Sequence, residues 1–184
     1  NNSESVHEGH SVDFFADRTV DYLGSRRKEP DPFFCFVPFN GPYGHWPAIR
    51  GGSQTRFDEI YRDLPLHSIP REGLNRRVIE RYTQRVVEAG GTPHERFAGP
   101  LLLPNDTTSL RNYFAQTSLI DDAVGRIMTA LDENGLAQDT IIIYTADHGF
   151  SLGHHGIWGH GLAAWPSSML RPSYHVPLVM AGPG

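Results

Sequence analysis

The sequence predicts an α/β protein with a mainly parallel central sheet flanked by helices, and three observations carry that expectation. Phe33-Phe34-Cys35-Phe36-Val37 is a compact aromatic and β-branched run of strand length. A long amphipathic stretch lies between Thr107 and Leu131, and Thr140-Ile141-Ile142-Ile143-Tyr144-Thr145 then forms a second, almost uninterrupted β-branched run. Strand, long helix, strand is the rhythm of crossover connections, because parallel neighbours need a connection long enough to return to the same end of the sheet.

In chain order, Val12, Phe14, Phe15, Val20, Tyr22 and Leu23 recur at helical spacing from Ser11 to Arg27, and Gly24 to Pro30 breaks the pattern. Pro30-Asp31-Pro32 punctuates the chain before the Phe-rich run, which suits a strand buried on both faces, with Cys35 as a core residue. Asn40-Gly41-Pro42-Tyr43-Gly44-His45-Trp46-Pro47 combines turn formers with two aromatics and a histidine, the composition of a loop that presents side chains. Residues 48–104 scatter Gly, Pro and charge, and read as a surface insertion with one helix near Leu74 to Glu88. Thr107 and Thr108 are candidate caps for the long helix, whose apolar stripe is Tyr113, Phe114, Thr117, Ile120, Val124, Ile127, Met128 and Leu131. Asn134-Gly135 supplies its stop, and Val176-Pro177-Leu178-Val179-Met180 is a further, shorter apolar run.

Composition removes several function classes. The 184 residues carry a formal net charge of −5 with both signs mixed along the chain, so there is no basic stripe for a phosphate backbone and nucleic acid is not an expected partner. No apolar run approaches the roughly 20 residues that span a bilayer. The single cysteine excludes an internal disulfide and leaves the redox compartment open. Asn1 is not an initiator methionine and the chain stops at a turn, Ala181-Gly182-Pro183-Gly184, directly after an apolar run, so it reads as a segment of a larger domain.

Ligands in open α/β sheets gather at the carboxyl ends of strands. Two polar clusters occupy such positions: the loop from Asn40 to Trp46, and Ala146-Asp147-His148-Gly149 followed by His154, His155 and His160 between glycines. A carboxylate suits a hard cation such as calcium or magnesium, and an imidazole widens the choice toward manganese or zinc. An adjacent Asp147 and His148 can face one cation if the backbone turns, which Gly149 permits. The competing reading is that Asp147 caps the following turn while the histidines are packed or solvated. Asp121 and Asp122 fall beside the apolar stripe of the long helix and mark its solvated edge rather than a catalytic pair. Trp158 and Trp165 can wall a sugar or aryl group, or simply pack.

Three stretches together resemble the sulfatase family of the alkaline phosphatase superfamily. They are Leu131-Asp132-Glu133-Asn134-Gly135-Leu136-Ala137 with Thr140 to Gly149, then Leu152-Gly153-His154-His155-Gly156-Ile157-Trp158-Gly159, and finally His175-Val176-Pro177-Leu178-Val179. Asp121-Asp122-Ala123-Val124-Gly125-Arg126-Ile127 and Asp31 to Pro38 resemble the family's long helix and an earlier strand with its loop. The resemblance implies an alkaline-phosphatase-like fold, present here as a partial catalytic domain over residues 1–184, and hydrolysis of sulfate esters by the full-length protein. It also implies a divalent cation, calcium in the first place, and a formylglycine nucleophile made from a cysteine or serine in a signature expected upstream of this segment. Two early aspartates of the cation site are expected upstream too, so the segment alone should not turn over substrate.

Residue by residue, the resemblance maps the later cation pair onto Asp147 and His148. His160 stands where the family has a lysine that contacts sulfate, and a nearby anion would raise its pKa. Tyr43 occupies the place of a loop histidine, with His45 two positions on; either can reach a sulfate oxygen or protonate the leaving alcohol. His155 matches an Asp-His or Glu-His segment better than His154 does, as a ligand or as support for one, and His175 replaces an arginine at a structural position. The Cys-x-Pro-x-Arg signature is absent, since Cys35 is followed by Phe36-Val37-Pro38. Sulfate esters of carbohydrates or small molecules are the implied partners, and export to the periplasm, the lysosome or the medium is the implied localisation. Two rivals share these motifs: a phosphodiesterase or phosphonate monoester hydrolase of the same superfamily, and a non-catalytic sulfatase-like binding protein.

Overall fold

A computed structural model of the chain describes residues 8–42, 55–69, 76–90, 107–152, 154, 158–160 and 169–183. Five α-helices and four short strands lie within them: α1 Ser11–Arg26, α2 Asp58–Tyr61, α3 Arg76–Glu88, α4 Thr107–Glu133, β1 Ile142–Thr145, β2 Ser151–Leu152, β3 Trp158–Gly159, α5 Arg171–Tyr174 and β4 Leu178–Ala181. A single 3-10 turn, Ala137–Asp139, joins α4 to β1. The chain divides into two units, one from Asn1–Leu64, Arg111–Ile142 and Ala181–Gly184, the other from Pro65–Leu110 and Ile143–Met180.

The first unit is built on α1 and α4. Val12 and Ala16 pack with Leu119, Ile120 and Ala123, and Leu23 packs with Ala130 and Leu131. Both helices therefore advance eleven residues, about three turns, between the same two contacts, so they run side by side in the same direction. Ala16 and Ala123 are fully buried, and their small side chains let the backbones approach closely. Of the predicted stripe, Ile120 and Leu131 are buried, Val124, Ile127 and Met128 pack partly buried against the core, Tyr113 and Phe114 lie on the flank and Thr117 is exposed; Asn112, Ala115, Gln116, Leu119, Ala123 and Ala130 complete the buried face of α4. Helix contacts favour small residues at the line of closest approach, which a search for large apolar side chains passes over.

Helix ends follow local chemistry. At α1 the Nδ1 of His10 accepts a hydrogen bond from the Val12 amide (3.2 Å), with Asp13 in the first turn and Arg26 in the last complementing the helix dipole. At α4, Leu136 N–H donates to the Leu131 carbonyl (2.9 Å) and Gly135 N–H to that of Asp132 (3.0 Å), with Gly135 at φ 71°. This is the paired-bond terminator that the Asn134-Gly135 signal predicted. Thr107 and Thr108 lie within the first turn of α4 rather than ahead of it.

Part of the 48–104 stretch contributes to this unit. Phe57 packs on the α1–α4 core, Tyr61 stacks on Phe114 (5.7 Å between centroids) and bonds Ser118 (2.7 Å), and Arg56 pairs with both Asp13 and Asp122. Arg126 pairs with Asp13 and Asp17, so Asp122 and its neighbours form a half-exposed ion network. Asp121 is exposed, as expected of a solvated edge.

Two expectations of burial are corrected. Residues 33–37 are extended without strand pairing: Phe33 packs inward against the Leu23 cluster, Phe34 is 89% exposed, Phe36 77% exposed, and Cys35 faces solvent rather than the core. β1 pairs with β4 in a two-stranded sheet, yet only Ile142 of its apolar side chains packs inward, while Ile141, Ile143 and every residue of β4 are exposed. The mainly parallel central sheet is not seen among the described residues. They hold this pair and the antiparallel pair β2–β3.

Candidate functional site

β1 delivers the chain to Asp147 and His148 at its carboxyl end, within the second unit. The Asp147 side chain is 90% exposed, that of His148 29%, and Oδ1 of the first lies 3.7 Å from Nε2 of the second. The Nδ1 of His148 sits 3.0 Å from the Gly149 carbonyl. A carbonyl oxygen only accepts, so Nδ1 is the donor there, and Nε2 is the ring nitrogen nearer Asp147. That is the arrangement a metal-ligating imidazole uses, with one ring nitrogen anchored on a carbonyl oxygen. Two ligands about 2.4 Å from one calcium ion and at right angles to each other lie about 3.4 Å apart. The observed 3.7 Å leaves room for such a cation. The donor set therefore fits half of a hard-cation site. No group of three or more His, Cys, Asp or Glu suited to a metal ion occurs among the described residues.

Gly149 has a different role from the one anticipated. Its φ lies outside the left-handed region, so it does not act through conformational freedom. A Cβ there would lie 2.0 Å from the Pro172 carbonyl oxygen, and the Gly149 N–H donates to the Ser173 carbonyl (2.9 Å). Glycine is required because the segment around α5, including the buried Ser173, presses against the turn that carries the Asp-His pair.

The β2–β3 pairing positions His160. Ser151 lies opposite Gly159 and Leu152 opposite Trp158, so the next position places His160 across from Phe150, with ring centroids 6.3 Å apart. Two residues before Phe150, His148 stacks on the His160 ring at 3.9 Å between centroids and 16° between planes. Burial and the adjacent His148 push the His160 pKa down; Asp147 acts in the opposite direction but is outweighed. Burial and His148 both favour the neutral imidazole. His154 Nδ1 accepts a weak bond from the Leu152 amide (3.4 Å) and so supports the link between β2 and β3.

Asp147, His148 and His160 are therefore brought together. Tyr43, His45, His155, Trp165 and the side chain of Trp158 lie outside the described residues. Cys35 has its thiol pKa raised by partial desolvation, which disfavours the thiolate. His175 accepts from the Arg171 guanidinium (3.2 Å) at the end of α5, a structural contact. The Gly149–Pro172 approach and the His148–His160 stack were missed by sequence reasoning. The first had a signal in the Asp-His-Gly spacing, and the second in a possible hairpin across the glycines at 153 and 156.

The Sulfatase family model matches residues 1–184, the entire chain. This chain belongs to the sulfatase family. It is 40% identical over 86 residues to iduronate 2-sulfatase of Homo sapiens, covering 47% of this chain and 14% of that protein. It is 28% identical over 177 residues to choline-sulfatase of Rhizobium meliloti (strain 1021), covering 94% of this chain and 31% of that protein. The fold matches the crystal structure of yidJ from Bacteroides fragilis with a TM-score of 0.64 at 23% identity, covering 94% of this chain and 31% of that one. The chain thus spans less than a third of the length of these relatives.

Proposed function

We propose that the protein carrying this chain hydrolyses sulfate esters, and that Asp147 and His148 are part of its divalent-cation site. The observation that carries the reading is the convergence of Asp147 Oδ1 and His148 Nε2 at 3.7 Å, with Nδ1 anchored on the Gly149 carbonyl. Membership of the sulfatase family supports the reaction class. Residues 1–184 would form part of an alkaline-phosphatase-like catalytic domain with a mainly parallel central sheet, and residues 48–104 would include its surface insertion.

A bound calcium ion would offset charge developing on the sulfuryl oxygens and favour the ionised form of a formylglycine-derived nucleophile. The chain's own residues have simpler tasks. Asp147 supplies an anionic oxygen, His148 a neutral nitrogen held in one tautomer, and the Gly149–Ser173 hydrogen bond fixes the turn between them and α5. His160, Tyr43 and His45 are the candidates for a hydrogen bond to a sulfate oxygen or to the leaving alcohol. The names iduronate 2-sulfatase and choline-sulfatase span a sugar and an alkyl sulfate, so the proposed substrate class is the sulfate ester, carbohydrate or small molecule. Export is proposed for the protein. No described helix is long and apolar enough to cross a membrane.

The test uses the intact protein and a fluorogenic sulfate ester beside its phosphate analogue. Sulfate release is expected to dominate, and Asp147→Ala is expected to abolish it, a loss of at least about 100-fold, with weaker calcium binding. Undiminished turnover and calcium content in that variant would falsify the assignment. Preference for the phosphate ester would point to phosphoryl transfer, and binding without turnover of either would mark a non-catalytic protein.

A further inference from the structure

We infer that His160 is a positioning residue for the cation site, its ring acting as a flat wall that fixes the plane of the His148 imidazole. The inference rests on the proposed ligand role of His148 and adds to it a function carried by the ring face of His160 rather than by its nitrogens.

Two contacts among the described residues bear on the orientation of the His148 ring. The Nδ1 bond to the Gly149 carbonyl (3.0 Å) selects the tautomer and anchors one edge of the ring. One bond at one edge does not by itself set the plane of the ring, and a rotation about it would carry Nε2 through an arc and away from Asp147. The His160 ring opposes that rotation, lying nearly parallel to His148 at 3.9 Å between centroids. His160 is itself held in place by the strand pairing at Ser151↔Gly159 and by the tilted Phe150 ring at 6.3 Å. The wall therefore stands on backbone pairing rather than on a mobile loop tip.

An imidazole whose plane is set before the cation arrives loses little rotamer freedom on ligation, and this preorganisation appears as affinity. Any flat aromatic ring should supply it. A polar side chain without a ring should not, whatever hydrogen bonds it offers.

Calcium titration calorimetry on the intact protein separates the two. His160→Phe keeps a ring without nitrogens, and His160→Asn keeps a polar group without a ring. His160→Phe is expected to bind calcium within a few-fold of the unsubstituted protein, and His160→Asn about tenfold more weakly. Cation-free thermal midpoints establish that both variants are folded. Wild-type affinity in His160→Asn, or affinity in His160→Phe as weak as in His160→Asn, overturns the inference. His148→Ala serves as the control. If it leaves calcium binding unchanged, the cation role of the pair fails and the wall role with it. If it weakens binding while His160→Asn does not, the wall role alone is overturned.

Discussion

His10 holds the first turn of α1 as a hydrogen-bond acceptor, a task that only the neutral imidazole can perform. Its Nδ1 takes the Val12 amide, and the ring is partly desolvated with Asp13 and Arg56 close by. Burial lowers its pKa below the usual 6.5; Arg56 acts in the same direction and Asp13 against it. The sign of the linkage follows: stability is intact above about pH 6.5, where both folded and unfolded forms are neutral. It falls as pH drops from there through the depressed folded pKa, because the unfolded chain takes up the proton first. Loss of the cap should cost on the order of 1 kcal/mol. In His10→Asn, which keeps an acceptor that does not titrate, this part of the acid destabilisation is expected to vanish. Thermal midpoints measured from pH 7.5 to 5 on both proteins check it, and parallel curves would refute it. The role was hidden in the sequence because Ser11 is the better-known cap type, and a histidine accepts such a bond only in its neutral form.

Elements were most legible where one local signal is sufficient. The α1 boundary, the α4 stop and the position of β1 follow from periodicity, from a glycine able to take positive φ, and from β-branched residues. Gly135→Ala is expected to cost about 1 kcal/mol, since alanine must adopt the left-handed conformation there without relief. Chemical denaturation of the two proteins checks it, an unchanged midpoint being the contrary result. What was illegible depends on partners. Ile120 and Leu131 marked the side of α4 that faces α1, but the contact of Ala16 with the Ala123 cluster appears only when both helices are seen together. The same holds at the candidate site. Asp147 and His148 are visible as a motif, whereas the His160 stack needs the Ser151↔Gly159 register, which two-residue strands do not announce.

At the scale of the whole chain, the apolar strands carry the main energetic consequence. Ile141 is 67% exposed, Leu178 67%, Met180 62%, and Phe34 and Phe36 are more exposed still. Contiguous exposed strand residues of this type pair with whatever apolar surface or free edge they meet. The 184-residue chain on its own is therefore expected to bind a hydrophobic dye and to self-associate. Ile143→Lys combined with Val179→Lys should reduce both, as read by dye fluorescence and sedimentation. A monomeric, dye-silent parent chain would contradict this.

The pairing of α1 with α4 also has a consequence in time. Val12 and Ala16 leave the ribosome about 100 residues ahead of Leu119 and Ala123, and at about 5 to 20 residues per second that interval is about 5 to 20 s. Throughout it, α1 waits for the face of α4 on which it packs. The waiting period makes α1 a natural client of a holding chaperone during synthesis, long before the candidate site exists.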